Sequence, residues 1–273
     1  KIVVKDIEHW RDYVKAPPLK FTDEEWAAFK AQYDAVDGTK AFKATFIAPG
    51  LFEQTHHLCS ITAALEYYFL NPDEMKDMIK YLVDWEMELL DGILTNLKPD
   101  AIFHHDDWGS EKSTFMSPDM FAEFFLEPYK QIYGFCKSKG VEIIIHHADS
   151  YAATLVPYMI EMGIDVWQGC MKSNDLPELI KKYGGKITFM GGIDNKMVDY
   201  PGWTREASTK AVHETLDVLD SPKYFIPCIT QGGPGSVYPG VYEVLTEEID
   251  KYNEERFGIK REEIDRLPLQ LIF

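Results

Sequence analysis

The sequence predicts an α/β protein built as a (β/α)8 TIM barrel, because six apolar runs alternate with helical segments along the chain. The runs are mostly β-branched or aromatic and continuous, which is typical of strands covered on both faces. They cover about residues 43–48, 100–104, 141–146, 164–168, 186–190 and 224–229. Because helices separate them with short turns, the strands should pair in parallel through βαβ units.

Helix start and stop signals lie between the predicted strands. Side-chain caps, prolines in the first turn and terminal glycines mark them. The predicted helices begin near Asn71-Pro72, run from Ser117-Pro118 to Gly140, from Asp149 or Ser150 to Gly163, from Ser173 or Asn174 to Gly184, from about 205 to 219 after Thr204, and from about Gly240 to Arg256. Six βα units indicate a barrel short of its first elements, and the chain opens on Lys1 without Met, which leaves room for them ahead of it.

A doubly wound sheet is the alternative to the barrel. His, Asp, Gln, Asn or Gly follows nearly every predicted strand, and such residues would converge on the single mouth of a barrel. A doubly wound sheet would concentrate them at one crevice, and no GxGxxG motif follows the first strand. We therefore predict one domain over residues 1–273, with a lead-in at 1–40, the barrel at 41–257 and a tail at 258–273.

Charge and composition exclude several classes of function. The 273 residues include 45 acidic and 28 basic side chains, which gives a net charge of −17. Nucleic acids and anionic membranes bind clustered positive charge, so neither is an expected partner. We expect no signal peptide, since none is visible, and the sequence has no apolar run of membrane-spanning length and four widely spaced cysteines without a CxxC motif. We expect a cytoplasmic enzyme with reduced thiols, and a homodimer stays open as its assembly.

Six of the eight histidines form three adjacent pairs, and two of these pairs end apolar runs. His104-His105 precedes Asp106-Asp107, and His146-His147 precedes Ala148-Asp149. Neighbours in a strand point to opposite faces, so only one histidine of each pair can reach the mouth. That imidazole could bind a metal or move protons. The alternative is a structural histidine at a strand end, with Asp149 capping the next helix.

Other residues near the strand ends could bind a ligand. Asp106 and Asp107 could raise one another's pKa or bind a cation, and Trp108 offers a flat wall for a planar ligand. The glycines around Gly191-Gly192 and in the loop after Gln231 would let backbone N–H groups approach an anion or a bulky ligand, although tight turns explain them as well. Cys228 could be a zinc ligand or a small buried apolar residue. No GxSxG motif supports nucleophilic hydrolysis.

A series of segments carries a family resemblance. In order, they are Gly50-Leu51-Phe52-Glu53, Asn71-Pro72-Asp73-Glu74, His105-Asp106-Asp107-Trp108-Gly109, Phe115-Met116-Ser117-Pro118-Asp119-Met120-Phe121, Ile145-His146-His147-Ala148-Asp149, Gly191-Gly192-Ile193-Asp194, and the late glycine loop ending in Tyr238-Pro239. Across about residues 40–257 the chain resembles the uroporphyrinogen decarboxylase superfamily. The resemblance implies a (β/α)8 barrel with its site at the C-terminal mouth.

Two branches of that superfamily compete. The true decarboxylases bind a tetrapyrrole without metal and carry an Arg-rich N-terminal segment and a late-loop His; this chain lacks the segment and has Gln231 at about the His position. The chain looks more like the corrinoid-dependent methyltransferases, many of them zinc-dependent. Their thiol-activating members show His-x-Cys where this chain has His146-His147-Ala148, and a second Cys near Cys228. The resemblance therefore favours His146 over His147.

The resemblance implies an enzyme of anaerobic one-carbon metabolism, such as an O-demethylase, that moves a methyl group between a small methylated substrate and a corrinoid protein. The substrate would be a methoxyaromatic, a methylamine or a thiol, and the cobalamin would be carried by the partner. Zinc is the expected metal, held by His146 with Asp149 and Cys228. Catalysis would use His146, Asp106, Asp107 and Glu53, and substrate would contact Phe52, Trp108, Met190, Asp194 and Gln231. The alternatives are a decarboxylase of porphyrinogen-like acids and a non-catalytic barrel that binds a tetrapyrrole or corrinoid.

Overall fold

In the computed structural model, residues 2–232 and 236–260 are described, and they form a parallel six-stranded sheet flanked by helices. The strands are β1 (Ala44–Ile47), β2 (Ala101–His105), β3 (Ile143–His147), β4 (Val166–Cys170), β5 (Thr188–Ile193) and β6 (Phe225–Ile229). All six predicted strands are confirmed, and their ends differ from the predicted ones by at most three residues.

The strands follow one another in the order β1-β2-β3-β4-β5-β6, each parallel to the next. Consecutive order with helices after each strand is the winding of a (β/α)8 barrel, whereas a doubly wound sheet reverses its order at a switch point. The predicted fold class is therefore confirmed, as the six-stranded part of such a barrel. The register of β2 and β3 aligns His104 with His146 and His105 with His147.

Helices occupy the segments between the strands. They are α1 (Trp10–Tyr13), α2 (Asp23–Asp34), α3 (Leu51–Cys59), α4 (Ile61–Leu70), α5 (Pro72–Asn96), α6 (Pro118–Phe121), α7 (Glu127–Ser138), α8 (Val156–Met162), α9 (Leu176–Tyr183), α10 (Asn195–Val198), α11 (Arg205–Leu216) and α12 (Val241–Phe257). Short 3-10 helices cover Ile7–His9, Ala153–Leu155 and Lys172–Asn174, and a π-helical stretch, Ala122–Leu126, joins α6 to α7.

Several predicted helix signals are confirmed. Pro72 opens α5, and the Thr204 hydroxyl accepts the N–H of Ala207 at 3.2 Å at the start of α11. Gly163, with φ of +85°, ends α8 in the left-handed conformation that glycine adopts without steric cost. The sequence therefore predicts those helix ends that are set by a capping side chain, a first-turn proline or a terminal glycine.

Two predicted caps are wrong. After β3 the chain forms the 3-10 turn at Ala153–Leu155 before α8, so neither Asp149 nor Ser150 caps a helix. The fourth predicted helix begins two residues late because the Asn174 side chain accepts the N–H groups of Ala152 and Ala153, at 2.8 and 2.9 Å. Helices α1 to α4 were not predicted. Residues 233–235 of the late glycine loop and 261–273 of the predicted tail lie outside the described residues.

Side chains alternate between two different faces of the sheet. On one face Ile102, Ile144 and Trp167 are completely covered by helices. On the other face Phe46 is 54% exposed, and Phe103 and Ile145 are half-buried. We call these the helix-covered face and the open face, and the open face corresponds to the interior of a barrel. Within the described residues no helix combines the length and the apolar character needed to cross a bilayer.

Candidate functional site

The two strand-end histidine pairs divide between the faces. His105 and His147 lie on the open face, where their rings stack with centroids 4.5 Å apart and planes 22° apart. His104 and His146 lie on the helix-covered face and are completely buried. The same alternation continues past the ends of β2 and β3, because Asp107 and Asp149 follow His105 and His147 two residues later.

Four side chains on the open face form the inward cluster: His105, Asp107, His147 and Asp149. One potential ligand atom from each of the first three lies within 4.8 Å of the other two. Asp149 adds a carboxylate oxygen 3.9 Å from Nε2 of His147. Its backbone N–H donates to Asp107 at 2.9 Å, so the β3 end is tied to the β2 end. The cluster therefore brings two imidazoles and the Asp107 carboxylate to one point, with the Asp149 carboxylate beside His147.

Acceptors behind the two histidines fix which ring nitrogen faces the cluster. Nδ1 of His105 donates to Oε2 of Glu53 at 2.8 Å. Nδ1 of His147 donates to Oε1 of Gln168. In both rings Nε2 is left as the nitrogen with a free lone pair, which is the arrangement found around metal-binding histidines.

Burial and mutual charge perturb the titration of the inward cluster. Burial lowers the pKa of His147. For His105 burial acts downward, but the hydrogen bond and charge of Glu53 outweigh it and raise the pKa. Burial raises the pKa of Asp107, partly opposed by His105, and burial with the charge of Asp107 raises the pKa of Asp149 to about 6. Crowded carboxyl groups of this kind share protons or bind a cation.

His146 does not reach the open face, so its predicted orientation is wrong. Its Nδ1 lies 2.8 Å from the Tyr133 hydroxyl, and its Nε2 donates to the Asp106 carbonyl oxygen at 3.2 Å. The ring also stacks on Trp108 at a centroid distance of 3.9 Å. The alternation of β3 places His147 on the open face instead.

Asp106 is also on the helix-covered face and acts there as a cap for α3. Its carboxylate accepts the N–H groups of Phe52 and Glu53 at 3.0 and 2.8 Å, the Trp108 indole N–H at 2.9 Å and the Tyr129 hydroxyl. Burial raises the pKa of Asp106 to about 7, against hydrogen bonds that lower it. The predicted catalytic role of Asp106 is therefore wrong, since its oxygens accept from α3 and Trp108 on the helix-covered face.

The close approach of α3 to the β2 end depends on Gly50. A Cβ atom at Gly50 would lie 2.4 Å from the Cβ of Asp106, well inside any real contact distance. With glycine there, the N-terminus of α3 reaches the Asp106 carboxylate, and Glu53 in its first turn reaches His105. The sequence pattern Gly-Leu-Phe-Glu thus brings Glu53 next to His105, and its catalytic role stays a prediction.

The predicted substrate contacts divide in the same way. Phe52 and Trp108 are 1% and 2% exposed and pack in the helix-covered core, so neither forms a wall of the site. Asp194 accepts the N–H of Lys196 and caps α10. Met190 is half-buried on the open face beside Gln168, and the Gln231 side chain lies near Asp149 and slightly opposes the rise of its pKa.

Cys228 lies next to the inward cluster without belonging to it. Its thiol lies near Gln168, the same side chain that holds His147. Burial raises the pKa of Cys228 to about 12, which keeps it as a neutral thiol. It therefore lines the site as a small side chain that sets the position of Gln168.

Sequence reasoning left open which histidine of each pair faces the site, the resemblance then favoured His146, and Gln168 was missed. The runs Ile-Phe-His-His and Ile-Ile-His-His are apolar on both faces, so they do not reveal whether the odd-numbered or the even-numbered residues face the helices. We call this choice the parity of the strand. The acids two residues after His105 and His147 carry that signal, because Asp107 and Asp149 share the parity of those histidines. Gln168 directly follows the apolar run of β4 and could have been found by the same rule.

Comparisons with known proteins agree with this architecture. The family model described as "Uroporphyrinogen decarboxylase (URO-D)" matches residues 52–252. Among solved structures, the chain resembles a methyltransferase from Methanosarcina mazei with a TM-score of 0.64 and 14% sequence identity. The alignment covers 83% of this chain and 63% of that protein, so the chain spans less than two thirds of its length. No curated protein matches the chain.

Proposed function

The chain belongs to the uroporphyrinogen decarboxylase family, and we propose that within it the protein is a methyltransferase that moves a methyl group from a small methylated substrate to the corrinoid of a partner protein. The observation that carries the proposal is the inward cluster, His105, Asp107, His147 and Asp149, with both Nε2 atoms free. The structural likeness to a methyltransferase supports the same direction.

The donor set of the inward cluster fits a zinc ion. Zinc takes imidazole nitrogen and carboxylate oxygen in four-coordinate sites and keeps one position for substrate or water when it is catalytic. We assign His105, Asp107 and His147 as the ligands, in place of the set of His146, Asp149 and Cys228 that the resemblance implies. Bound there, zinc would act as a Lewis acid that stabilises negative charge on a heteroatom of the substrate.

The chain's own side chains would do the rest. Glu53 and Gln168 hold the two imidazoles so that Nε2 faces the cluster, and this reduces the reorganisation needed when a ligand binds. Asp149 is the cluster carboxyl left outside the assigned ligand set, and burial with the charge of Asp107 raises its pKa to about 6, so it could hold a proton. A methyl ether or amine has a poor leaving group, so a proton donor at Asp149 would help the heteroatom to leave.

The reaction balances with the corrinoid as a second substrate. The bond between the methyl carbon and the heteroatom breaks, and a bond between that carbon and cobalt forms, with both electrons supplied by Co(I). The heteroatom keeps its bonding pair and takes one proton from Asp149. The site lies at the carboxyl ends of β2 and β3, beside a half-exposed open face that could receive the flat corrin.

The charge of the site disfavours the decarboxylase alternative. A porphyrinogen carries several carboxylates and needs cationic side chains around it. Three carboxyl groups, those of Glu53, Asp107 and Asp149, surround the two histidines instead. The site would repel such a substrate unless a metal ion neutralised it, so a small neutral or cationic methylated compound is the better match.

The test is incubation with a reduced corrinoid protein and a panel of methoxyaromatics, methylamines and methylated thiols, followed by cobalt absorbance. We expect methylation with zinc-loaded protein and at least about a 100-fold loss in His147→Ala, with His213→Ala as an exposed control. Decarboxylation of a porphyrinogen without metal would establish the alternative activity. Tight binding of corrinoid with no transfer from any substrate would favour a scaffold, and no methylation under any zinc loading would contradict the proposal.

A further inference from the structure

A line of polar side chains is buried behind the site, on the helix-covered face. Glu86 from α5, His104 from β2, Tyr133 from α7 and His146 from β3 follow one another in space, and the line ends at the carbonyl oxygen of Asp106. Each of these side chains is 1% exposed or less. Buried polar groups need hydrogen-bond partners, so the direction of each bond can be worked out.

The carbonyl end fixes the direction. A carbonyl oxygen only accepts, so His146 must donate from Nε2 to Asp106, at 3.2 Å. A neutral His146 then accepts at Nδ1, and the Tyr133 hydroxyl donates its single proton to it at 2.8 Å. The Tyr133 oxygen is left as an acceptor, so His104 donates to it from Nδ1 at 3.0 Å. The two neighbouring histidines therefore carry their protons on opposite ring nitrogens.

This direction leaves Nε2 of His104 with a lone pair and a single neighbour. Oε1 of Glu86 lies 3.3 Å from it, and within the described residues neither this nitrogen nor either Glu86 oxygen has a well-aligned hydrogen bond. If Glu86 were a carboxylate, its oxygen lone pair would face the lone pair on Nε2 of His104, and neither atom would have a hydrogen-bond donor among the described residues. A buried ion pair with a charged His104 would have one long, poorly aligned contact, which does not offset desolvation of both charges.

We infer that Glu86 is a protonated positioning residue that begins a directed hydrogen-bond chain from Glu86 through His104, Tyr133 and His146 to the backbone of β2. A small rotation of the carboxyl group completes its O–H bond to Nε2 of His104. Burial also raises the pKa of Glu86 to about 8, in agreement with this state. This hydrogen-bond chain connects helices α5 and α7 to strands β2 and β3.

The hydrogen-bond chain from Glu86 to Asp106 affects the candidate site through strands β2 and β3. His104 and His146 are each followed by a member of the inward cluster, and the two strands are in register at these positions. The chain therefore fixes how β2 and β3 lie side by side, and with them the separation of the His105 and His147 rings, 4.5 Å between centroids. Hydrogen bonds of this outer kind typically change metal affinity by 10- to 100-fold when they are lost.

The test compares Glu86→Gln, whose amide N–H can still donate to His104, with Glu86→Met, which has similar size and no donor. Glu88→Gln and Glu88→Met on the exposed side of the same helix are the matched controls. The first measurement is ¹⁵N NMR of the histidine rings in the metal-free protein. We expect His104 protonated at Nδ1 and His146 at Nε2 in the wild type and in Glu86→Gln, and a changed Nε2 shift for His104 in Glu86→Met.

The second measurement is zinc affinity by competition, and this arm rests on the proposed function. We expect Glu86→Gln to bind within about twofold of the wild type and Glu86→Met to bind about 10-fold more weakly. A doubly protonated His104 in the wild type, or equal zinc affinity in Glu86→Gln and Glu86→Met, would overturn the inference. Should the wild type bind no zinc, the proposed function fails, and the NMR arm still decides the inference. If Glu86→Met does not fold, the wild-type and Glu86→Gln spectra decide alone.

Discussion

The two faces of β2 and β3 carry the same kinds of residue and use them differently. The inward cluster, on the open face, holds two histidines and two acids whose reactive atoms face one another. The outward cluster, His104, Asp106, Trp108 and His146, holds similar groups whose polar atoms are directed at helices α3, α5 and α7. Adjacent residues of one strand therefore belong to a candidate reaction site and to the structure that supports it.

The difference lies in which hydrogen bonds are already satisfied. Both ring nitrogens of His146 have protein partners, whereas His105 and His147 each use one nitrogen and leave the other free. Satisfied buried groups contribute to stability and resist a new ligand, since binding would first break their bonds. Free lone pairs at the edge of a sheet are available for chemistry, and this contrast can be tested by paired substitutions.

The largest expected effect separates His147 from His146. His147→Ala should abolish zinc binding and lower methyl transfer by at least about 100-fold, and it should cost less unfolding free energy than His146→Ala, because the His147 side chain keeps 11% exposure whereas His146 is fully buried. His146→Ala should lower the free energy of unfolding by about 3 kcal/mol, since it leaves a cavity and an unpaired Tyr133 hydroxyl.

Zinc binding by competition and urea denaturation are the two measurements for this pair. His146→Ala should retain measurable zinc binding under conditions where it is folded. Loss of zinc in His146→Ala together with full binding in His147→Ala would reverse the assignment of the two faces.

The next effect separates Asp106 from Asp107. Asp106→Ala should lower the free energy of unfolding by roughly 4 kcal/mol, because the N–H groups of Phe52, Glu53 and Trp108 lose their shared acceptor. Asp107→Ala should change it by less than about 1 kcal/mol and should remove zinc binding instead. Urea denaturation with a metal titration checks both, and Asp106→Asn, which keeps one acceptor oxygen, should recover part of the stability.

The third effect is a pH dependence that comes from the helix-covered face. Glu86 lies 3.3 Å from His104 and interacts with Asp106, Tyr129, Tyr133 and Cys136, and burial raises its pKa to about 8 in the folded protein from 4.5. The folded state holds this proton more tightly, so its stabilisation is full below pH 4.5 and is lost as pH rises through 8. We expect Glu86→Gln to remove a fall of roughly 3 kcal/mol in unfolding free energy between pH 5 and 8.

Denaturation curves across this pH range, for the wild type and both Glu86 variants, measure that fall. Glu88→Gln should keep the wild-type profile because that side chain is exposed. A profile in Glu86→Gln that parallels the wild type would mean that Glu86 is ionised in the folded protein throughout.

How far the sequence predicts this molecule differs between the fold and the site. Apolar runs and helix signals depend on local chemistry, so six strands and the start of α5 and α11 could be predicted from them. The parity of β2 and β3 could not be predicted, because Ile102 and Phe103 are both apolar and only packing decides which of them the helices cover. That single choice determines whether His146 or His147 faces the site.

Long-range contacts limit the prediction of the other site residues. Asp106 becomes a cap because α3 approaches it from more than 50 positions earlier in the sequence. Asp149 is drawn into the cluster by Asp107, whereas its sequence context resembles a helix cap. Glu53 and Asp107 are predicted from the sequence because Glu53 lies in the segment Gly50-Leu51-Phe52-Glu53 that carries the resemblance and Asp107 follows a strand end.

The smallest expected effect concerns Gln168, the open-face side chain that holds His147 in the inward cluster. Gln168→Leu should weaken zinc binding by about 10-fold, because His147 loses the acceptor that holds its Nδ1–H and presents Nε2. Gln168→Glu keeps an acceptor at the same place and should bind zinc at least as well as the wild type. Thr188→Val, on the neighbouring strand, is the matched control for a changed polar side chain next to β4.

Competition titrations at fixed pH measure these affinities, and ¹⁵N NMR of His147 shows which nitrogen is protonated. With Gln168→Leu we expect the two tautomers of His147 to mix, while His146 stays in its single tautomer because its partners are on the other face. Equal zinc affinity in Gln168→Leu and the wild type would mean that stacking on His105 alone orients His147. If the His146 ring changed its tautomer as well, the two faces would be coupled through β3 and could not be treated as separate layers.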